Sequence, residues 1–245
     1  MAAYAATEDR SGRGGPSVKE LDESLAWLER KGTQRNRDGM AHFGIVAKKA
    51  FGVSMESIHI LSKKLGRDHE LALALWDTEW YEARLLAAFV DEPARVTPAQ
   101  MNRWARDFDN WGICDTLCFK LFDKTPHAWS RIDQWSKRRE EFVKRAAFAL
   151  LASVALHDKE AATEPFTKSF ALIERESTDD RNFVKKGVSW ALRSVGHRNA
   201  VLNREATRVA KRLAASDDAT ARWIGKDALK DITRPSIIAR VNRDS

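Results

Sequence analysis

The residues best placed to do chemistry lie in one short stretch, residues 109–116 (DNWGICDT). Trp111 and Asp115 are four residues apart, so on a helix they share one face. An exposed carboxylate beside an indole is unusual, although an ordinary surface aspartate or the partner of a nearby arginine would look the same. We interpret the strongly basic remainder of the chain as a scaffold that brings a polyanion to Asp115.

Composition favours a protein with a real core and an acidic partner. The chain has 245 residues, 43% of them hydrophobic, which is enough for a substantial core. The formal net charge of +7 favours partners such as nucleic acid. Charge by itself carries no information about the fold.

Several chemistries have no pattern in the sequence. Cys114 and Cys118 are the only cysteines, and we interpret them as small buried side chains in a reducing compartment. The chain has no metal-ligand spacing, phosphate-binding glycine loop or dinucleotide motif, so we expect no metal and no cofactor. With no apolar run of membrane length and no signal peptide pattern, we expect a cytoplasmic protein.

Apolar spacing and capping residues predict helices throughout. Ser54 is placed to cap a helix that ends near Gly66, and Asp68 to cap the next one. Thr97 and Thr125 each precede a proline, which predicts two further helix starts. No stretch alternates with the period of a strand, so we predict an all-α fold. We expect a disordered tail at 1–16, one helical domain at 17–234 and a basic tail at 235–245.

A four-residue pattern recurs along the chain: an aromatic residue, two others, then Arg or Lys. The last three copies begin at positions 142, 183 and 223, which gives a period of about 40 residues, whereas the first copy at 81 is further away. This period is typical of HEAT or armadillo repeats. We therefore predict an α-solenoid of stacked antiparallel helix pairs with a concave groove.

The repeated aromatic and basic residues are predicted to have different roles. We expect the aromatic residue to pack between repeats and the basic residue to lie near the rim. Stacking would then align four cations in the groove, where a phosphate backbone could bind: Arg84, Arg145, Lys186 and Lys226. The alternative, solvated side chains lying over apolar neighbours, is equally compatible with the sequence.

Three segments carry a family resemblance: 111–115 (WGICD), 142–148 (FVKRAAF) and 182–193 (NFVKKGVSWALR). Together they resemble the AlkD-like DNA alkylation repair family, HEAT-like-repeat DNA glycosylases that act on alkylated purines. The resemblance extends from about residue 17 to residue 233. One departure is Gly112, which stands where typical active members have a second acid.

The resemblance implies a role for each matching residue. Asp115 falls on the catalytic aspartate, and Trp111 and Trp190 fall on the two tryptophans that pack against the deoxyribose of the lesion. Arg145 falls on an arginine near the DNA backbone. The implied substrate is a cationic 3- or 7-alkylated purine in double-stranded DNA, and the implied protein is a monomer. For Trp190, core packing is the ordinary alternative.

The cleavage of such a purine builds positive charge on the sugar. Asp115 would stabilise that charge and orient water, while the two indoles would hold the sugar. Two other functions remain open on the residues alone. One is a non-catalytic module that binds distorted or branched DNA through the same basic groove, and the other is a HEAT-type scaffold for protein partners.

Overall fold

The computed structural model describes residues 18–243, and within that range the regular structure is helical, with no strand. The all-α prediction is therefore confirmed. The tail predicted at residues 1–16 lies outside the described residues. The helices in the described range are α1 Val18–Lys31, α2 Gln34–His42, α3 Met55–Leu65, α4 His69–Asp77, α5 Tyr81–Val90, α6 Pro98–Arg106, α7 Trp111–Lys120, α8 Ala128–Ser136, α9 Glu141–His157, α10 Thr163–Arg175, α11 Asn182–Gly196, α12 Ala200–Ala214, α13 Ala219–Ile232 and α14 Pro235–Arg243.

Side-chain caps fix most of the predicted helix starts. Ser54 accepts a hydrogen bond from the Ser57 amide, and Asp68 and Thr97 cap α4 and α6 in the same way. The start predicted at Thr125 is wrong, because α8 begins at Ala128 without a side-chain cap. The hydroxyl of Thr125 instead donates to the carbonyl oxygen of Phe122, 2.8 Å away.

The described chain divides into two compact units. The first contains residues 18–37 and 49–91, with α1, α3, α4 and α5 around a core that includes Leu28, Ile58 and Trp76. Its most unusual core group is Glu82, which is fully buried. Both side-chain oxygens of Glu82 accept hydrogen bonds from the amides of residues 51–53, at 2.9, 2.7 and 3.2 Å, so the buried group has its hydrogen-bond partners.

The second unit contains residues 38–48 and 92–243 of the described chain. Its inner helices α7, α9, α11 and α13 pack side by side in that order. The helices α8, α10 and α12 lie behind them: α8 packs on α9, α10 on α11 and α12 on α13. This pairing is the arrangement predicted from the period of about 40 residues.

Small residues let the inner and outer helices approach closely. A methyl group at Gly225 of α13 would lie 2.3 Å from the Ala214 amide nitrogen and 2.5 Å from the Ala210 carbonyl oxygen, both in α12. Only glycine fits at this contact. The segment expected to be a basic tail contains α14 in its described part, and Ile237 and Val241 of this helix are buried.

None of the helices between residues 18 and 243 combines the length and apolarity that crossing a bilayer requires.

Candidate functional site

The side chain of Asn110 sets the position of the predicted site on α7. It is 1% exposed and accepts a hydrogen bond from the Ile113 amide at 3.0 Å, which starts the helix at Trp111. Trp111, Asp115 and Phe119 follow one another at intervals of one turn, so their side chains lie on one helix face. Each of them is half-buried.

Trp111 is held by a backbone group. Its indole Nε1 donates to the carbonyl oxygen of Phe43, 2.9 Å away. Phe43 lies in the turn that follows α2, and its ring is 66% exposed. The turn places Gly44 beside Phe183, since a methyl group at Gly44 would lie 3.9 Å from that ring. The turn at residues 43–44 therefore borders the Trp111 end of the site.

Asp115 is paired with Arg145 of α9. The Nε of Arg145 donates to one carboxylate oxygen at 2.9 Å and Nη2 to the other at 2.7 Å. The Asp115 side chain is 19% exposed and that of Arg145 9%. An exposed carboxylate is expected at this position from the sequence. That expectation is wrong, and the alternative of an arginine partner describes the structure.

Arg145 joins three inner helices. Besides Asp115 of α7, it binds the Phe183 carbonyl oxygen of α11 through Nη1 at 2.8 Å. Burial acts to lower the pKa of Arg145, but the hydrogen bonds and negative charge of Asp115 outweigh it and raise the pKa. The guanidinium is thus a fixed cation whose charge is already neutralised.

Trp190 of α11 contacts the α7 helix through a second aromatic residue, Phe119. Its ring stacks on Phe119 of α7, with centroids 5.6 Å apart and an angle of 20° between the planes. The rings of Phe119 and His157 also meet edge to face, with centroids 4.7 Å apart. Trp190 therefore lies beside the α7 face that carries Trp111 and Asp115, and its contact with that helix is through Phe119.

The repeated aromatic residues do not all pack between repeats. Tyr81 is buried as expected, and Phe142 and Phe183 are half-buried against each other, with centroids 5.2 Å apart. Trp223 contradicts the expectation, because it is 39% exposed. The ammonium of Lys185 lies 5.4 Å from the Trp223 ring, so this indole contacts a cation at the surface.

The predicted row of cations is divided. Arg84 belongs to the first unit, where its guanidinium lies over the Trp76 ring at 4.9 Å. Arg145 belongs to the second unit and is neutralised by Asp115. Lys186 and Lys226, also in the second unit, are exposed, and neither makes an ion pair with another residue of the range 18–243.

Metal chemistry has no arrangement to support it in the described part of the chain. No group of three or more His, Cys, Asp and Glu side chains there is placed to hold an ion. Cys114 and Cys118 are fully buried free thiols.

The comparison with known families decides the affiliation. A family model described as DNA alkylation repair enzyme matches residues 25–232. The chain belongs to the DNA alkylation repair enzyme family. The family predicted from the sequence is thereby confirmed.

A solved structure resembles this member of the DNA alkylation repair family. It is described as belonging to a new family of proteins related to the HEAT-like repeat DNA glycosylases with affinity for branched DNA structures. The TM-score is 0.71 at 17% sequence identity, and the match covers 86% of this chain and 94% of that one. The match identifies the fold as HEAT-like. No curated protein matches the sequence.

Sequence reasoning missed two residues at the site of this DNA alkylation repair family member. Phe119 could have been found, because it lies four residues after Asp115 on the same helix face. The Phe43 carbonyl could not, because any residue offers a backbone oxygen and no local pattern links it to Trp111.

Proposed function

We propose that this protein binds double-stranded DNA across the face formed by α7, α9, α11 and α13. The observation that carries the proposal is the position of Lys186 and Trp190 on α11. They lie one turn apart on the same helix face, and Trp190 adjoins Phe119. An uncommitted cation beside half-exposed aromatic rings suits a phosphate backbone with its adjoining sugar.

Four further observations support DNA binding. Lys226 supplies a second exposed cation on the neighbouring helix α13, and the sequence carries a net charge of +7. The family is named for DNA repair. The structural relative is described as having affinity for branched DNA, which makes distorted or branched DNA a natural ligand to compare with a plain duplex.

We propose a cytoplasmic monomer.

Salt dependence tests the proposal. The double variant K186A/K226A should bind a duplex more weakly, and the slope of log affinity against log salt should fall by roughly two units. The control is K168A/K211A, which removes the same charge from α10 and α12 and should keep the slope; of these two exposed lysines, Lys168 is paired with Glu164. If the native protein binds no DNA even at low salt, the proposal is wrong and a protein-interaction scaffold is favoured.

A second candidate function is glycosylase activity on 3- or 7-alkylated purines. It is favoured by Trp111 and Asp115 on one face of α7, with Trp190 beside that face through Phe119, because such half-buried rings near a carboxylate could contact a deoxyribose. Water would attack C1′ as the bond to the purine nitrogen breaks. The bonding electrons neutralise the cationic base, which leaves, and the water proton passes to solvent. Asp115 would stabilise the positive charge that develops on the sugar.

The ion pair with Arg145 restricts this candidate. Because the guanidinium occupies both carboxylate oxygens, Asp115 offers a cationic sugar less net negative charge than a free carboxylate would. Catalysis therefore requires the exposed edge of the carboxylate to face the sugar, or Arg145 to exchange Asp115 for a DNA phosphate.

Base release separates the two candidates. With duplex DNA that contains 7-methylguanine, the glycosylase proposal predicts release above the spontaneous rate and its loss in Asp115→Asn. DNA binding without catalysis predicts no release, together with equal or tighter DNA affinity for Asp115→Asn, because a negative charge has been removed. Measuring affinity for a duplex and for a four-way junction then identifies the preferred ligand.

A further inference from the structure

A cavity of about 410 Å³ lies where α9 and α11 end and α14 passes them. Its polar lining comes from Lys159, Ser194, His197, Arg198 and Arg240, and the rest is apolar. No Asp or Glu side chain lines it. Its polar lining is therefore positive or neutral, which is the charge pattern of an anion site.

Two of its cations are uncommitted. Lys159 and Arg240 are exposed, and neither makes an ion pair with another residue of the described chain. Two carboxylates flank the cavity without lining it. An Asp231 oxygen lies 2.8 Å from Nε2 of His197, and the charge of Asp158 acts on Arg198. Asp158 accepts a hydrogen bond from the Ala161 amide at 2.9 Å, and Asp231 is paired with Arg234.

The third cation, Arg198, is held by carbonyl oxygens and makes no ion pair within the described chain, although the charge of Asp158 acts on it. Its guanidinium donates to the carbonyl oxygens of residues 155, 158 and 161, at 2.9, 2.6 and 3.1 Å. It also lies 4.1 Å from the Phe166 ring. Its Nε is buried and has no hydrogen-bond partner among the described residues. Carbonyl oxygens orient this cation but do not neutralise it, so an anion in the cavity would supply a negative charge that they do not.

The pKa of His197 is lowered by its burial and its positive surroundings. Burial and the charges of Arg240, Arg234 and Arg193 lower its pKa to about 4, although its Nε2 lies 2.8 Å from an Asp231 oxygen. The imidazole is therefore neutral near pH 7, and it can take part in a hydrogen bond without contributing charge.

The cavity continues the proposed DNA-binding face. Lys186, Trp190 and Ser194 are spaced by four residues along α11, so they form one row, and Ser194 lines the cavity. At a rise of 1.5 Å per residue, Ser194 lies about 6 Å beyond Trp190 along the helix.

We propose that this cavity binds a phosphate group through Lys159, Arg240 and Arg198, and that the phosphate is a backbone phosphodiester of DNA that lies across Trp190. The proposal rests on the proposed DNA binding and adds a second contact point to it. A free phosphate has the same chemistry, so the experiment distinguishes the two sources.

The first arm uses inorganic phosphate. Titrated into the full chain at constant ionic strength and followed by NMR of the arginine Nε–H groups, it should give saturable shifts for Arg198. The shifts should be lost in K159A/R240A and kept in K168A/K211A, which removes two exposed lysines from other helices. Absence of saturation in the native chain overturns the phosphate site.

The second arm uses duplex DNA with the same variants. K159A/R240A should lower the salt slope by roughly two units, whereas K168A/K211A should keep it. If phosphate saturates the cavity but the DNA slope is unchanged, the site takes a free phosphate and the assignment to the DNA backbone is overturned. If no DNA binds at all, the proposed function fails, and the first arm decides the cavity independently.

Discussion

Arg145 holds both carboxylate oxygens of Asp115, at 2.9 and 2.7 Å, across the contact between α9 and α7. The pair is mostly shielded from water on the arginine side and partly open on the aspartate side. Charge and packing are therefore coupled at the position where the family resemblance places catalysis.

The first prediction concerns this pair. Arg145→Met should lower the free energy of unfolding by about 3 kcal/mol, because it leaves the carboxylate half-buried without its partner. It also removes the donor to Phe183. Urea unfolding of Arg145→Met, Asp115→Asn and the double variant measures the effect. The double variant should cost less than the sum of the two single changes, and strict additivity would show that the pair contributes nothing.

The second prediction concerns the turn beside Trp111. Trp111→Phe keeps a ring but removes the hydrogen bond to Phe43, so amide hydrogen exchange at residues 43–46 should accelerate. The expected loss of stability is about 1 kcal/mol. Trp223→Phe is the control, since the Trp223 ring is exposed on α13. Unchanged exchange at residues 43–46 in Trp111→Phe would mean that other contacts hold the turn.

The third prediction tests the close approach of α12 and α13. Gly225→Ala should destabilise the protein by about 2 kcal/mol, because the added methyl overlaps backbone atoms of Ala210 and Ala214. Gly39→Ala in α2 is the matched control, since a methyl there meets nothing within 4 Å. The control should be neutral or stabilising by a few tenths of a kcal/mol. Thermal unfolding of both variants provides the measurement, and equal melting temperatures would refute the close contact.

The fourth prediction concerns acid stability. The hydrogen bond from Arg181 lowers the pKa of Asp179 to about 2, against the effect of burial, and Lys144 contributes in the same direction. A lowered folded-state pKa means that the stabilisation is complete above about pH 4 and is lost as the pH falls towards 2.

Asp179→Asn should therefore flatten this part of the stability profile. At neutral pH it should cost about 1 kcal/mol after allowance for solvent screening. Denaturant midpoints measured between pH 2 and 7 give the profile. Asp133→Asn is the control, because the partner of Asp133, Lys137, is exposed. A parallel decline in Asp179→Asn and the native protein below pH 4 would contradict the assignment.

Local signals predicted the helices well because caps and apolar spacing act within a few residues. Ser54, Asp68 and Thr97 each cap the helix that follows them. The period of about 40 residues likewise predicted the helix pairs. Thr125 failed because the chain continues from a 3-10 turn at Phe122–Lys124, and its hydroxyl bonds backward to that turn.

The site was predictable in its members and not in its connections. Trp111 and Asp115 share a face by spacing alone, whereas the bond between Asp115 and Arg145 depends on how far α9 is shifted along α7. Sequence spacing within one helix carries no information about that shift. The exposure of Trp223 was missed for a related reason, because the identical pattern in each repeat does not reveal which copy has a neighbour to cover it.

The side chain of Arg145 links three of the inner helices. One side chain ties α9 to a carboxylate on α7 and to a backbone oxygen on α11. Any ligand that drew this guanidinium outward would weaken the contacts of α9 with α7 and with α11 in the same event.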